Sequence, residues 1–501
     1  MTQSLTAVRV RSAGRPADAA RPTYRFALPV LLAATSLIVL DFFIVNVAMA
    51  SLQRDLGAGP TAVEWIVAGY GLTFAVLLLA TGRLGDRYGR RRMFVGGVGL
   101  FTAASLACGL APNADILVGA RFVQGGGAAM ISPSVLALIG VLFTEAAARA
   151  RAIGIYATVM GVAAAGGQLV GGVLLHLDPG GLGWRSVFLI NVPIGIAILL
   201  TAGRHVPESR APKAERVDMP GLALATLALT ALVLPLVDGR EHGWPAWAFV
   251  TLALAPVLLA GFGLRQRRLA TTGRAPLVDP QWFAVRSFRV GVVTQFCFWA
   301  GQASYFLVLA LYLQLGLGLS ALESGLVFSI LAATYLVASM RAAALVAWFG
   351  RTVIVTGGLL LAAGHAATAL AAAYGAPVAA LTPGLLLEGA GMGLCLAPIT
   401  GVVMAGAGPQ HAGAVSGLLS TMQQVGNATG VALIGVVFFH LTGPGTAHAF
   451  AHGFAVSTSI LAGLLVAVAT SARRLPHLSG PQRRRAASAT DKSHESGRGG
   501  S

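Results

Sequence analysis

Charged residues are scarce in this chain, and their scarcity excludes most soluble folds. Only 11% of the 501 residues are Asp, Glu, Lys or Arg, whereas 56% are hydrophobic. A soluble protein covers its surface with polar groups, and about a quarter of its residues are charged. Apolar runs of about 20 residues, the length of a bilayer-spanning helix, recur along the whole sequence. The composition therefore predicts a polytopic membrane protein that lies in a lipid bilayer.

Cysteines are few, and nucleotide-binding motifs are missing. Cys108, Cys297 and Cys395 all fall inside apolar runs, which favours small buried side chains over a disulfide framework. The sequence contains no Gly-x-x-x-x-Gly-Lys-Ser/Thr phosphate loop and no convincing hydrolase motif. Its histidines near the predicted outer loops are scattered, so a metal site is not expected. These absences predict no enzyme activity and no cofactor, and they favour an ion gradient over ATP as the source of energy.

Acidic residues are half as frequent as basic ones, and the position of the basic residues explains the imbalance. The chain has 18 Asp and Glu against 35 Lys and Arg. When the N-terminus is placed inside, 31 of these 35 fall in the inner segments and three in the outer loops. Lys and Arg collect on the cytoplasmic side of membrane proteins. The sequence therefore predicts a plasma-membrane protein with both termini in the cytoplasm, and the charge requires no nucleic-acid partner.

Fourteen apolar runs and an internal repeat predict the architecture. "QGGGAAM" at 124–130 resembles "EGAGMGL" at 388–394, and "GIYAT" at 154–158 parallels "GLLST" at 417–421, with offsets of 264 and 263 residues. Nearly equal offsets indicate a duplicated six-helix unit, and two further runs lie between the copies. Parallel six-helix repeats with a site between them are a transporter architecture. The expected segments are an N-terminal tail at 1–26, an N-terminal half at 27–203, a linker with two extra helices at 204–284, a C-terminal half at 285–471 and a basic tail at 472–501.

Four motifs in chain order resemble those of one transporter family. They are "LDFFIVNVAMA" at 40–50, "GRLGDRYGRRR" at 82–92, "RFVQGGGAA" at 121–129 and "WRSVFLINVPIG" at 184–195. With them the chain resembles the major facilitator superfamily and, within it, the fourteen-span drug:proton antiporters. The resemblance implies an all-α major facilitator fold. Ala50 and Gln168 depart from it, since the family usually has proline at both positions.

Two charges inside predicted spans are candidates for proton coupling. Asp41 lies in the middle of the first span, where a charge that faces lipid costs roughly 3 kcal/mol or more. It should therefore face a cavity or a partner, and a desolvated carboxylate suits a carrier that binds and releases protons. Arg121 lies deep in the fourth span, and the resemblance assigns it to the same coupling. The alternatives are a structural hydrogen bond for Asp41 and packing support for Arg121.

The densest charge lies in the loop at 82–92, where glycines permit a tight turn and arginines hold the loop inside. The resemblance implies that this loop latches the two halves together. The alternative is a loop that only anchors the topology, which is favoured for Arg91 and Arg92. The predicted latch residues are Gly82, Asp86, Arg87, Gly89 and Arg90.

Further polar and small residues are assigned to a cavity and to close helix packing. Gln124, Glu388 and Gln424 are predicted to line a substrate cavity, and Glu388 is equally compatible with an acid that reaches water or a neighbouring Arg. Its repeat position also allows a second proton site. In the fifth span, small residues let helices approach closely. The packing residues predicted there are Gly161, Gly167, Gly171 and Gly172.

The leading hypothesis is a proton-coupled antiporter that exports hydrophobic, often cationic, small molecules by alternating access. Its predicted partners are the small-molecule substrate, protons and the lipid bilayer. The alternatives are an exporter of one endogenous metabolite, an importer, and a scaffold on the same fold that transports nothing. Asp41 and Arg121 argue against the scaffold, which has no need of charges in the membrane.

Overall fold

A computed structural model of the chain describes residues 26–210, 217–239, 242–407, 412–443 and 445–472. Of the predicted tails, only Phe26 and Ala472 fall within the described residues. The described residues form α-helices with short 3₁₀ and π turns and contain no strand. The helices are α1 Ala27–Leu56, α2 Pro60–Tyr88, α3 Arg90–Gly109, α4 Ala114–Leu142, α5 Ala146–Leu177, α6 Ser186–Leu189, α7 Asn191–His205, α8 Met219–Asp238, α9 Ala246–Thr271, α10 Arg286–Leu311, α11 Ala321–Phe349, α12 Thr352–Ala373, α13 Thr382–Ala407, α14 Ala412–Thr442 and α15 Ala447–Ala472.

Helix boundaries follow the capping chemistry of the sequence. Asn113 accepts a hydrogen bond from the Ile116 N–H at 3.0 Å and begins α4. Ser320 and Glu323 form a reciprocal capping box at the start of α11. Gly89 separates α2 from α3 with a φ of 115°, a conformation that a side chain disfavours. Capping thus accounts for the short turns that join long helices.

Fourteen of the described segments are long and apolar enough to cross a membrane, and the sixth is made of α6 and α7 together. This confirms the predicted all-α membrane fold. α9 shows the effect of the bilayer most clearly, because Phe249, Val250, Val257 and Leu264 all point outward. In water such a face would drive aggregation, whereas in lipid it is the ordinary surface of a span.

The two six-helix halves repeat the same packing. In the N-terminal half α1 packs on α5, α2 and α3 pack on α4, and α3 packs on α7. In the C-terminal half the corresponding pairs are α10 with α14, α11 and α12 with α13, and α12 with α15. The predicted duplication is therefore visible in three dimensions as well as in sequence.

The halves meet along two helix pairs, α2 with α14 and α5 with α11. The two extra helices α8 and α9 pack on each other, and α8 also packs against α2 and α14. The Trp65 indole donates to the Asp238 carboxylate at 2.8 Å and fixes the end of α8 to α2. The extra pair thus covers one seam between the halves.

Candidate functional site

Asp41 lies at the centre of a buried polar network in the N-terminal half. Its side chain has no exposed surface, and its Oδ2 lies 2.6 Å from an Nη1 of Arg121. Its Oδ1 accepts hydrogen bonds from Gln124 at 2.8 Å and from Asn191 at 2.6 Å. Ser105 joins the network through Gln124 and Asn191. Four helices, α1, α3, α4 and α7, therefore converge on one carboxylate.

Arg121 is fully buried and is held by several partners at once. Its Nε donates to the Ile66 carbonyl at 2.8 Å and its Nη1 donates to Gln124 at 2.7 Å, in addition to the contact with Asp41. The guanidinium carbon lies 4.3 Å from the centre of the Tyr70 ring. A planar cation with a fork of donors suits this environment better than a point charge does. The hydrogen bonds and the opposite charge compensate the cost of burying an ion pair.

A cavity lies between the two halves, next to this network. It encloses about 720 Å³ of space not occupied by atoms, part of it open to solvent. Aromatic rings dominate the wall, together with methionines and neutral polar groups, and no charged residue is found among the described residues that line it. Helices from both halves contribute, with Phe43 and Tyr156 on one side and Trp299 and Tyr335 on the other. Such a wall suits a hydrophobic or aromatic ligand.

Tyr70 connects the network to the cavity. One face of its ring contacts Arg121, and the same residue lines the cavity wall. Its hydroxyl donates to the Ile38 carbonyl at 3.3 Å, one turn before Asp41 on α1. Phe42 and Phe43, which directly follow Asp41, also line the cavity. A movement of the ion pair would therefore reach the cavity wall directly, through Tyr70 or through Phe42.

The predicted cavity residues are separated by the structure. Gln424 lies in the cavity wall, where its carbonyl oxygen accepts from Asn427 at 2.8 Å. Gln124 is buried inside the Asp41 network and does not belong to the described wall. Glu388 is also fully buried and outside this wall. Glu388 lies against a histidine of the neighbouring helix, since Nδ1 of His365 lies 2.6 Å from its Oε2.

The loop at 82–92 makes its described contacts with two segments outside it. Arg90 pairs with Asp86 at 2.7 Å, and its backbone N–H donates to the Ser209 carbonyl at 2.9 Å. Glu208 lies against Arg91 and Arg92 at 3.8 and 3.9 Å. These contacts hold the loop to the segment after α7, on the side of its own half.

The loop also reaches toward the C-terminal half through Arg83. The Arg83 guanidinium donates to the Pro276 carbonyl, ten residues before α10 begins. Of the remaining predicted latch residues, Gly82 is half-buried, and Arg87 lies 5.5 Å from the ring of Tyr88. Gly89 has no room for a side chain, since an added Cβ would lie 2.7 Å from a carboxylate oxygen of Glu208.

The four predicted packing glycines serve two different faces of α5. An added Cβ on Gly167 would lie 3.1 Å from the Leu40 carbonyl oxygen, and one on Gly171 would lie 2.8 Å from Ile44, both on α1. An added Cβ on Gly161 would meet the Tyr335 ring, and one on Gly172 would lie 2.7 Å from the Ala321 carbonyl oxygen. Tyr335 and Ala321 both belong to α11 of the other half. Gly167 and Gly171 thus hold one half together, whereas Gly161 and Gly172 lie where the halves meet.

Several polar residues of these sites were not identified from the sequence. Asn191 and Ser105 were overlooked because small polar residues in a span resemble ordinary packing positions. Glu64 was overlooked because it lies next to a predicted span boundary, yet it is fully buried. Its carboxyl carbon lies 2.8 Å from the position of an added Cβ on Gly435 of α14, at the seam between the halves. The sequence did contain a signal for Glu64, namely an acidic residue within three residues of the end of a predicted span.

The family profile of the Major Facilitator Superfamily matches residues 31–431, which is most of the chain and reaches into both halves. The chain belongs to the Major Facilitator Superfamily. It is a small-molecule transporter embedded in a membrane, and its relatives are drug and antibiotic efflux or resistance transporters.

Three relatives illustrate this group. A probable actinorhodin transporter of Streptomyces coelicolor is 40% identical over 83% of this chain and 72% of its own length. A cephamycin export protein of Amycolatopsis lactamdurans is 38% identical over 81% of this chain and 84% of its own length. A puromycin resistance protein of Streptomyces alboniger is 37% identical over 83% and 82% of the two chains.

Solved structures of the superfamily share the fold at low identity. The human organic anion transporter MFSD10 superposes with a TM-score of 0.61 at 17% identity and covers 90% of this chain and 100% of its own. An auto-inhibited peptide transporter of the POT family superposes with a TM-score of 0.64 at 17% identity, over 91% and 98% of the two chains. At this identity the comparison shows the fold alone.

Proposed function

We propose that this Major Facilitator Superfamily protein is a proton-coupled antiporter in the plasma membrane, with both termini in the cytoplasm. It exports hydrophobic small molecules, aromatic cations included, by alternating access. The observation that carries the proposal is the buried Asp41–Arg121 pair, which shares Tyr70 with an aromatic cavity between the halves. The efflux and resistance relatives support export as the direction of transport.

The Asp41 network is built for a charged carboxylate. Gln124 and Asn191 both donate to Oδ1, and Arg121 lies against Oδ2, so each oxygen already accepts from donors. A proton that binds to Asp41 removes the charge that Arg121 compensates and places a hydrogen where donors already point. The network must then rearrange, and Tyr70 and Phe42 carry the rearrangement to the cavity. Proton binding and cavity shape are coupled in this way.

The cavity favours aromatic compounds without requiring one charge. Its rings attract a cation through their π faces, at about 0.5–2 kcal/mol for each contact. A neutral compound can bind there without leaving a buried charge unpaired, because the described wall holds no carboxylate. Selection by size and apolar surface is consistent with the export of several compounds.

Flux into everted vesicles tests the proposal, with puromycin as the probe. An imposed pH gradient should drive puromycin uptake by the wild-type chain, and an ionophore that collapses the gradient should stop it. Asp41→Asn should insert in the membrane but lose gradient-driven uptake, because an amide exchanges no proton.

Asp115→Asn is the matched control, since Asp115 is an exposed acid in the first turn of α4. It should transport as the wild type does. Wild-type uptake by Asp41→Asn would contradict coupling through this carboxylate, and gradient-independent uptake by the wild type would contradict antiport.

A further inference from the structure

His365 and Glu388 form a second buried pair of titratable side chains, in the C-terminal half. Both side chains have no exposed surface, and Nδ1 of His365 lies 2.6 Å from Oε2 of Glu388. They lie on α12 and α13, the helices that correspond to α3 and α4. Two acids or bases that are buried this deeply in a span are costly, so they require a reason.

The repeat relates this pair to the Asp41 network. Glu388 stands 264 residues after Gln124, the offset of the repeated "QGGGAAM" and "EGAGMGL" segments. Tyr305 stands 264 residues after Asp41, and its ring lies tilted against His365 with the ring centres 4.2 Å apart. The position that holds an acid in α1 therefore holds a tyrosine in α10, and in the C-terminal half the corresponding buried acid lies on α13. Each half thus places a fully buried carboxylate in this group of neighbouring helices, Asp41 in the N-terminal half and Glu388 in the C-terminal half.

Hydrogen bonding shows where a proton can be exchanged. Nδ1 of His365 also lies 3.0 Å from the Leu361 carbonyl oxygen, and a carbonyl only accepts, so Nδ1 carries a hydrogen. Nε2 of His365 and both carboxylate oxygens of Glu388 are buried without a hydrogen-bond partner among the described residues. One further proton can therefore reside on Nε2 or on the carboxylate without breaking an existing bond.

We propose that His365 and Glu388 together form a second proton-exchange site, which rests on the proton-coupled function above. With the additional proton the pair is neutral as a unit, as imidazole and carboxylic acid. Loss of that proton to water leaves imidazole and carboxylate, a single negative charge. Because His365 can become neutral, the pair differs from Asp41–Arg121, where the arginine keeps its charge.

The surroundings contain other ionisable groups whose protons must be distinguished. The Tyr305 ring of α10 lies against His365, and the Tyr335 backbone of α11 lies against Gly389 and Gly393. Cys395 lies on α13 itself, with its thiol 3.5 Å from the Ile354 carbonyl. The cavity is one turn away, because Met392 lines it four residues after Glu388. A change in the charge of the pair therefore acts on the cavity across a single turn of α13.

Infrared difference spectroscopy of the full chain in lipid nanodiscs tests the second site without a substrate. Spectra are recorded between mildly acidic and mildly alkaline buffer, and the C=O stretching bands of protonated carboxyls are followed. We expect a buried-carboxyl band in the wild type that disappears in Glu388→Gln. In His365→Gln the same band should shift in frequency, because the carboxyl loses its nearest partner.

Glu323→Gln is the matched control, because Glu323 is an exposed acid of the same half that caps α11. It should leave the buried-carboxyl band in place. A difference spectrum of Glu388→Gln identical to that of the wild type would overturn the proposal, as would an unchanged band in His365→Gln, and the two variants are read independently if one fails to fold. Absent gradient-driven puromycin flux would instead refute the proposed antiport and leave these spectra unchanged.

Discussion

Arg121 is the residue on which the N-terminal network depends most. It contacts Asp41, Gln124 and the Ile66 carbonyl, and it has no exposed surface. Arg121→Ala leaves the Asp41 charge buried without its cation, which costs about 3–5 kcal/mol. We expect the variant to lose puromycin flux and to melt at a lower temperature. Arg121→Lys should recover part of the flux, since an ammonium cannot reach three partners as a planar fork does.

Arg92→Ala is the control for this prediction, because the Arg92 side chain is 69% exposed and its described ion pair is with Glu208 at 3.9 Å. Its flux and melting temperature should stay near those of the wild type. Full flux from Arg121→Ala would show that Arg121 supports packing and takes no part in coupling.

At the scale of residues, the sequence predicted charges well and their partners poorly. Asp41 and Arg121 were identifiable because a charge inside a span is costly and therefore needs a reason. Their partner Asn191 was not, because which faces of α1, α4 and α7 meet is decided by packing. The same limit hid His365, although its partner Glu388 stood out through the repeat. The family assignment did not remove this limit, since it concerns the fold.

The helix α5 illustrates how one element joins both halves. An added Cβ on Gly172 would meet backbone atoms of α11, which cannot move aside as a flexible side chain can. Gly172→Ala should therefore loosen the contact between the halves, at a cost of about 1–3 kcal/mol. We expect a lower melting temperature in nanodiscs and slower puromycin flux.

Gly166→Ala lies on the same helix, and nothing lies within 4 Å of its added Cβ. Because alanine favours a helix by roughly 0.5–1 kcal/mol over glycine, this control should be neutral or slightly stabilising. Equal melting temperatures for the two variants would show that the α5–α11 contact is looser than the structure describes.

The extra helices α8 and α9 are joined by Asp218, which directly precedes the span of α8. Arg265 donates to Asp218 at 2.6 Å, and Gln266 donates to the same carboxylate at 3.1 Å. Burial raises the pKa of Asp218, but hydrogen bonds from Arg265, the Gly221 N–H and Gln266 outweigh it, so the pKa is lowered. A lowered pKa stabilises the folded chain above the ordinary carboxyl pKa of about 3.9, and this stabilisation is lost as the pH falls through the lower folded value.

Asp218→Asn should therefore lower the melting temperature at neutral pH by the equivalent of up to about 1 kcal/mol, since Arg265 is partly exposed. The difference from the wild type should shrink only in buffer more acidic than about pH 4. The control Asp115→Asn should show no such difference. A constant difference at every pH would assign the effect of Asp218 to packing.

At the scale of elements, the sequence predicted nearly everything. Each of the fourteen spans was marked by an apolar run of the right length. The break between α6 and α7 was not predicted, because Ile190 gives no local signal for it. That α8 covers the seam between α2 and α14 is likewise a property of packing, which no apolar run encodes.

At the scale of the whole molecule, the described contacts of Arg90 in the loop at 82–92 involve no residue of the cavity wall. We expect Arg90→Ala to reduce puromycin turnover several-fold while equilibrium binding changes little, because Arg90 holds the loop to the segment after α7 and not to the cavity. Initial flux and equilibrium binding should be measured separately on the same preparation. A strong fall in affinity with normal turnover would contradict a conformational role.

Ser209→Ala is an informative companion, because it removes only the hydroxyl that Arg90 contacts at 3.2 Å. The backbone hydrogen bond from Arg90 to the Ser209 carbonyl stays. If Ser209→Ala has a small effect on turnover and Arg90→Ala a large one, the function of the loop depends on the Asp86–Arg90 pair and the backbone contact.

The shared position of Tyr70, between Arg121 and the cavity, has a consequence for binding at equilibrium. If a bound compound lowers the proton affinity of Asp41 by some factor, a proton on Asp41 must lower the affinity for that compound by the same factor. This reciprocity holds for each compound separately. Two compounds that contact Tyr70 differently therefore release different numbers of protons when they bind. The slope of binding affinity against pH, measured on the resting protein, therefore ranks compounds by how efficiently a proton gradient can expel them.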